Sequence, residues 1–369
     1  MTNERMIFTE NPEIDMWREL LRFSYSKNIT KYMSEKGYSP NEDVINSIIG
    51  SFLQAYEYYK YASEANLQIS PLLLYYGTTN LLYGMTTLLK GNMITINNHG
   101  MRKIIPEDMH YIADVKIQFD HLKDGGIHEY SKALGYNLDL SKTGEWRLKD
   151  FLDSIAEIND LYCDCYGEVC GKIIMLDVFN TPDGKVEKVY LSDTNKEIIE
   201  SLFQQINGFS KSYLLPQIVT NNQTQETYFV LRHKINGTSI SEVSYSGQPY
   251  LRAGHVRTCG SITIPTILNM YISLFVLASL CRYNPERWSP FVIQDSTGEK
   301  LLMEKMLYFS RRMIPNIVLD HIYNKEYYFV SDKYASKNTD KLVSEHQVKD
   351  IVNSEFQKNI DAFRGRQKI

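Results

Sequence analysis

A chain of 369 residues is long enough for two or three folding units. With 43% hydrophobic and 23% charged residues it has the proportions of a globular protein, which excludes a disordered chain, a collagen-like repeat and a coiled-coil rod. The 40 Lys and Arg against 44 Asp and Glu give a formal charge of −4, so the molecule as a whole offers no electrostatic case for nucleic acid or an anionic membrane. Only a local basic patch stays open.

Residues 1–13 carry Glu4, Arg5, Glu10 and Glu13 among few apolar residues and lack the basic start and apolar stretch of a signal peptide, so a cytoplasmic protein is expected. Met16 to Met33 reads as helical. Between Val44 and Ala65 the apolar residues follow a 3.6-residue rhythm that puts Ile48, Phe52, Ala55 and Tyr59 on one face of a helix. Ser70-Pro71 is a cap and first-turn proline, and Leu72 to Lys90 then runs almost without charge up to Gly91, so a second, deeply buried helix forms an antiparallel hairpin with the first.

The middle changes character. Val115 to Phe119, Gly171 to Phe179, Val186 to Leu191 and Thr227 to His233 are rich in β-branched and aromatic residues and bounded by turns such as Pro182-Asp183-Gly184, which predicts antiparallel strands. Arg147 to Tyr162 and Asn195 to Ile206 have helical periodicity. From Ser261 the helices return, over 261–283, 299–312, 315–323 and 343–363. The apolar stretch from Ile262 to Cys281 approaches the length of a membrane span, but Thr263, Thr266, Asn269 and Ser273 interrupt it, so a buried helix is expected. The fold class that follows is α+β, predominantly helical: helices from the two ends of the chain pack as one bundle, because neither set can cover its apolar faces alone, with a central antiparallel β-containing insertion. The expected parts are 1–112, 113–257 and 258–369.

Sequence signatures for chemistry are mostly negative: P-loop, dinucleotide, zincin and nucleophile-elbow motifs are absent, and no metal or cofactor is expected. Cys163, Cys165 and Cys170 lack the spacing of a zinc or redox pair and, like Cys259 and Cys281, are read as ordinary thiols. The 27 tyrosines, clustered without interleaved arginines, are read as packing residues. His99, in a turn before Gly100, is either a carbonyl-bonded turn residue or a base or phosphate ligand. Arg252, His255 and Arg257 stand before Ser261, the expected helix cap, and together make a candidate anion or nucleotide site. Arg282, before Pro285, either neutralises a helix C-terminus or joins His99 in one polar pocket. If the protein is an enzyme, His99, His255 and Arg282 are the candidates. Helical ribonucleases of the HEPN type pair an arginine with a histidine a few residues on; here Arg102 and His110 leave seven residues between them and Arg312 and His321 leave eight, which is too many.

The text FLQAYEYY at 52–59, SPLLLYYG at 70–77, the His99-Gly100 turn and the segment from Tyr271 to CRYNPERW at 281–288 resemble the YaaC-like family of bacteria, chiefly Firmicutes. Gly144 to Leu148 with Phe151 and Leu152 resembles that family's central segment. The resemblance implies a cytoplasmic helical bundle with an α+β insert. It brings no catalytic residues with it; family members in bacilli tend to be encoded beside IMP dehydrogenase, which implies a link to purine metabolism. The functional expectation is a non-catalytic regulator, itself a homo-oligomer, that binds a protein partner such as IMP dehydrogenase, a purine nucleotide, or both. The alternative is a metal-independent, HEPN-like ribonuclease effector in phage defence, with RNA as its substrate; a purely structural subunit is the third reading.

Overall fold

The computed structural model describes residues 4–120, 125–167, 171–181, 184–192, 194–235, 237–257 and 260–330. The chain divides into two units. The smaller, 1–15 with 326–369, contains strand β1 (Glu4–Phe8) in parallel register with the chain's last described strand, Glu326–Val330, so that Arg5 faces Tyr327 and lies 5.4 Å over its ring. The larger, 16–325, holds the remaining elements apart from the first turn of α1, and both of the expected boundaries at 112 and 257.

Its first half is helical. The stretch expected as one helix from Met16 is broken: α1 (Pro12–Leu20) gives way to a tight turn over Leu21–Ser24 before α2 (Ser26–Glu35). The break drives Phe23 inward against Phe52 and Tyr323. α3 (Glu42–Glu64) starts under the side chain of Asn41, which accepts from Val44 N. α4 (Ser70–Lys90) carries Pro71 in its first turn and stops at Gly91, whose φ of +77° only glycine adopts without strain. The two helices form the expected antiparallel hairpin. Its close approach is made by Gly77 and Gly84, since a Cβ on Gly77 would lie 2.8 Å from the Tyr59 ring and one on Gly84 3.0 Å from Phe52. Tyr59, buried beside them, spends its hydroxyl on Thr78 at 2.8 Å.

The centre is built of small antiparallel sheets. β2 (Met101–Ile104), β3 (Lys116–Phe119) and β4 (Trp146–Arg147) form one. A short helix, α5 (Gly126–Ala133), lies between the last two of these strands. The helix expected over 147–162 is instead α6 (Leu148–Leu152) and α7 (Asn159–Tyr166), because between them the chain turns Asp153, Ser154 and Ile155 into the interior. The strand expected at 171–179 is split between two sheets. β5 (Ile173–Met175) pairs with β11 (Pro249–Arg252), which also pairs with β10 (Glu242–Val243). β6 (Asp177–Thr181) joins β7 (Gly184–Leu191), β9 (Thr227–Arg232) and β8 (Gln217–Thr220) in a sheet of order β6-β7-β9-β8. α8 (Lys196–Gln205) and the short α9 (Phe209–Ser212) cover that sheet, with Ile199, Leu202 and Phe203 packed on Phe229 and Leu231.

The third part returns to helices, as expected. The helix expected from Ser261 starts later, because 260–262 is strand β13 (Gly260–Ile262), which pairs back on β12 (His255–Arg257). α10 (Thr266–Tyr283) then begins after Pro265. It is long and apolar enough to cross a membrane by length and composition, yet it is buried all round, against α4, α6 and α12 (Glu299–Tyr323). α11 (Pro285–Gln294) follows α10 and buries Trp288, whose indole donates to Gln68 O at 3.1 Å and closes the end of the bundle. α12 runs unbroken through Pro315 where two helices were expected. The helices of the two ends thus form one bundle around α4 and α10 with the β-containing part inserted between them in sequence, an α+β, predominantly helical fold. The helix expected at 343–363 lies outside the described residues, as do Cys170, Thr258, Cys259 and the Pro182-Asp183 turn residues.

The hairpin packing carries a paired prediction. Gly77→Val should lower stability by roughly 1–3 kcal/mol through overpacking against Tyr59. Gly50→Ala, on the same hairpin with open space beside it, should raise stability by up to ~1 kcal/mol through helix propensity. Urea unfolding midpoints with unchanged slopes would check both.

Candidate functional site

Two polar clusters assemble from the residues singled out in the sequence. The first runs along α10 from its middle, where the His99 ring is 5.8 Å from Phe275, to its C-terminal end at Arg282. α4 presents Tyr75 and Tyr76 in succession, the first buried and the second half-buried. Tyr75 stacks on Tyr271 of α10 at 5.6 Å and meets Phe275 edge-on at 5.8 Å, which fixes its hydroxyl. That hydroxyl sits 2.6 Å from Nδ1 of His99. The His99 turn is itself clamped: Asn98 Oδ1 accepts from Gly100 N at 2.7 Å, and Gly126 N and Ile127 N donate to the carbonyls of Asn98 and His99 at 2.9 and 3.1 Å. Gly100 has a φ of +73° and lies so close to Gly125 that neither position admits a side chain.

Arg282, in the last turn of α10, donates to the Tyr76 hydroxyl and lies 4.9 Å over the Tyr283 ring. Lys103 of β2 reaches the same end, donating to Ser279 O at 3.0 Å with its ammonium 5.3 Å from the Tyr283 ring. Tyr58 of α3 flanks Tyr76 at 6.0 Å. His99 and Arg282 are exposed. Burial of the inner part of the ring, and then the Arg282 charge, hold the His99 imidazole below its ordinary 6.5. Burial also lowers Lys103, against the pull of Glu286. Burial pushes the Tyr75 phenol far up, so it keeps its proton at all ordinary pH. The hydroxyl and Nδ1 share one hydrogen bond, so that edge of the ring is held by Tyr75 whichever of the two donates, and Nε2 is the ring nitrogen left for another partner.

The second cluster is at the N-terminal end of α10, and its residues face inward. Arg252 is 4% exposed, and its guanidinium donates to both oxygens of Glu242 at 3.0 and 2.7 Å, to Ser154 O and Ile264 O at 2.9 and 3.2 Å, and to Tyr250 and Thr266 hydroxyls. Every N–H of that fork is engaged. His255 is buried with Nε2 3.2 Å from Asp153 Oδ1 and 3.1 Å from Ser154 Oγ, its ring edge-on to Trp146. Arg257 pairs with Asp150 Oδ2 at 2.9 Å and lies 3.8 Å over Trp146. Ser261 does not cap the helix, as expected from its position; it sits in β13 and donates to Gln205 O at 2.9 Å. The expected anion loop is therefore two strands whose cations are matched by protein acceptors, because β11 and β12 turn them toward the interior.

The remaining thiols have packing surroundings. Cys165 donates to Thr297 O at 3.4 Å, and burial with the Glu299 and Asp295 charges pushes it up to about 11, while Cys281 donates to Gln68 O at 3.0 Å. Of the three enzyme candidates, then, His99 and Arg282 come together and His255 stands apart. Sequence reasoning missed Tyr75 and Tyr76, whose signal was the doubled tyrosine of LLLYYG on an otherwise chargeless helix. It also missed Asp150 and Asp153, which were hidden in a segment read as one continuous helix.

The chain belongs to the YaaC-like family: its sequence matches the family described as YaaC-like Protein over residues 13–322. No curated protein and no solved structure matches it. The first cluster draws Tyr58, Tyr75 and Tyr76, His99, and Tyr271 with Arg282 from each of the four segments on which the resemblance rests.

His99 gives a prediction with a fixed sign. The unfolded chain takes up this proton near 6.5 and the folded chain only at lower pH, so above 6.5 His99 has no effect on stability, and as pH falls from there to the folded value it costs stability. An NMR titration should find His99 below 6.5 in the wild type and closer to it in Arg282→Gln, where the neighbouring positive charge is gone.

Proposed function

We propose that this YaaC-like protein is a non-catalytic regulator whose His99–Arg282 surface takes the phosphate of a purine nucleotide. The observation that carries the reading is the pairing itself: the exposed Arg282 guanidinium is near enough for its charge to act on the His99 imidazole, and the two are anchored through the hydroxyls of the successive residues Tyr76 and Tyr75. Two polar groups held in place for one anion lose little freedom on binding. Lys103 adds charge at the same end, and the Tyr76 and Tyr283 rings offer faces on which a base can stack. Nucleotide occupancy would alter the surface shared by α4, α10 and β2, and a protein partner would read it there; the family's gene neighbourhood makes IMP dehydrogenase the first partner to test.

The ribonuclease reading draws on the same two residues, since a neutral imidazole beside a guanidinium is what metal-free cleavage of RNA uses. Binding comes first because it needs only the two side chains as they are anchored, whereas cleavage also needs His99 to take the 2′-hydroxyl proton and a second group to protonate the leaving oxygen.

Purine nucleoside mono- and triphosphates at millimolar concentration should raise the thermal midpoint of the wild type by mass action. Arg282→Ala should weaken that binding by about 10–100-fold, the value of a charge-assisted hydrogen bond of ~1.5–3 kcal/mol. No nucleotide-dependent shift in the wild type, or an equal shift in Arg282→Ala, would overturn the reading. RNA cleaved without metal by the wild type and spared by His99→Ala would replace it with the ribonuclease.

A further inference from the structure

We propose that Asp150, Asp153 and His255 form a site for one divalent first-row transition-metal ion, separate from the His99–Arg282 surface. The two carboxylates come from α6 and the residue just past its end, three positions apart and so on one side of the helix, while β12 brings the imidazole against them. One donor atom from each of the three lies within 4.8 Å of the others. Nε2 of His255 and Oδ1 of Asp153 are 3.2 Å apart. Two donors bound at ~2.1 Å to one ion, at angles between square and tetrahedral, stand about 3.0–3.4 Å apart, so this pair needs almost no movement to share a cation.

Charge balance points the same way. Asp150 already has a permanent cation: its Oδ2 holds Arg257 at 2.9 Å and also accepts from Arg147 N at 2.9 Å. Its Oδ1 remains, with the Arg147 guanidinium no nearer than 4.0 Å. Asp153 is different. Its side chain is 10% exposed, and its one ion-pair partner among the described residues is His255, which is not a permanent cation. A carboxylate buried without a fixed positive partner is costly, and a metal ion bound between it and a neutral imidazole removes that cost.

The surroundings hold the donors. Ser154 Oγ donates to Asp153 Oδ1 at 2.8 Å, and Trp146 packs edge-on to the imidazole at 5.1 Å. Asp150 and Asp153, though not His255, are among the residues lining a cavity of about 470 Å³, which Arg147, Lys149 and Lys172 also line. One imidazole with two carboxylates selects a borderline cation such as Zn²⁺, Mn²⁺ or Fe²⁺ over Ca²⁺, which takes oxygen donors alone, and over thiophilic ions.

The test uses the full chain stripped with EDTA and titrated with Zn²⁺ and with Mn²⁺ by calorimetry and thermal unfolding. Binding of one ion per chain with a raised midpoint is expected, and His99→Gln should bind it as the wild type does. Asp153→Asn should weaken binding by about 100-fold or more while its metal-free midpoint stays within a few degrees, because the amide keeps the shape of the carboxyl without its charge. If that variant fails to fold, Asp150→Asn and His255→Gln take its place with the same expected loss. Stripped wild-type protein that binds no ion, or a folded ligand variant that binds it as tightly as the wild type, would overturn the proposal.

Discussion

The packing of α10 against α4 is the constraint from which the rest of the molecule follows. Ile267 to Ala278 are buried without interruption, so α10 has no face for solvent and must be enclosed by partners from elsewhere in the chain. α4, nearly as apolar and brought close to α3 by Gly77 and Gly84, supplies one wall; α6 and α12 supply others. Burial on this scale, at roughly 25 cal/mol per Å² of apolar surface, outweighs any polar contact described above. The polar groups therefore collect along the edge of the rod and at its ends. Tyr75 is placed by Tyr271 and Phe275 from within that packing, and His99 and Arg282 are placed in turn through Tyr75 and Tyr76.

The inserted part is tied to the same rod by buried ionic groups whose donors and acceptors are used up internally. Arg252 links β11 to Glu242, to the carbonyl of Ser154 and to the residues that lead into α10. Glu299, 1% exposed at the start of α12, accepts from Ile112 N, Ala113 N and the Tyr166 hydroxyl, and so joins three segments distant in sequence. Groups of this kind add little net stability relative to well-packed apolar residues, but removing one partner leaves a buried charge unmatched. They fix how the insertion docks on the helices more than how firmly.

The helices were legible in the sequence because their signals are local: a 3.6-residue rhythm for α3, and Pro71 and Gly91 bracketing α4. The family was legible from four short texts, and the bundle from the observation that apolar rods at both ends need covering. What escaped was non-local. Arg252, His255 and Arg257 read as a surface anion loop because nothing in their order reveals that β11 and β12 turn them inward toward Glu242, Asp153 and Asp150. The break between α6 and α7 was hidden for the same reason, since Asp153 and Ser154 leave the helix to bond a residue about a hundred positions away. Whether Arg282 serves the helix end or joins His99 was left by the sequence as two options; in the structure both are exposed, Arg282 bonded to Tyr76 and His99 to Tyr75.

The length of α10 settles how the polar residues can be grouped. Thr266 to Tyr283 spans 18 residues, which at 1.5 Å each is about 27 Å. Arg252 and His255 gather at the start of that helix, where Ile264 O and Thr266 receive the Arg252 guanidinium, and Arg282 lies in its last turn. A catalytic centre combining His255 with Arg282 would have to bridge that distance through the most tightly packed part of the molecule. Interiors packed like crystals do not open in that way. Any chemistry or recognition is consequently divided: an exposed, cationic and aromatic surface at one end, built from α4, β2 and the His99 turn, and an inward-facing group of two carboxylates and an imidazole at the other. Two ligands bound at these ends would touch opposite termini of one rigid helix.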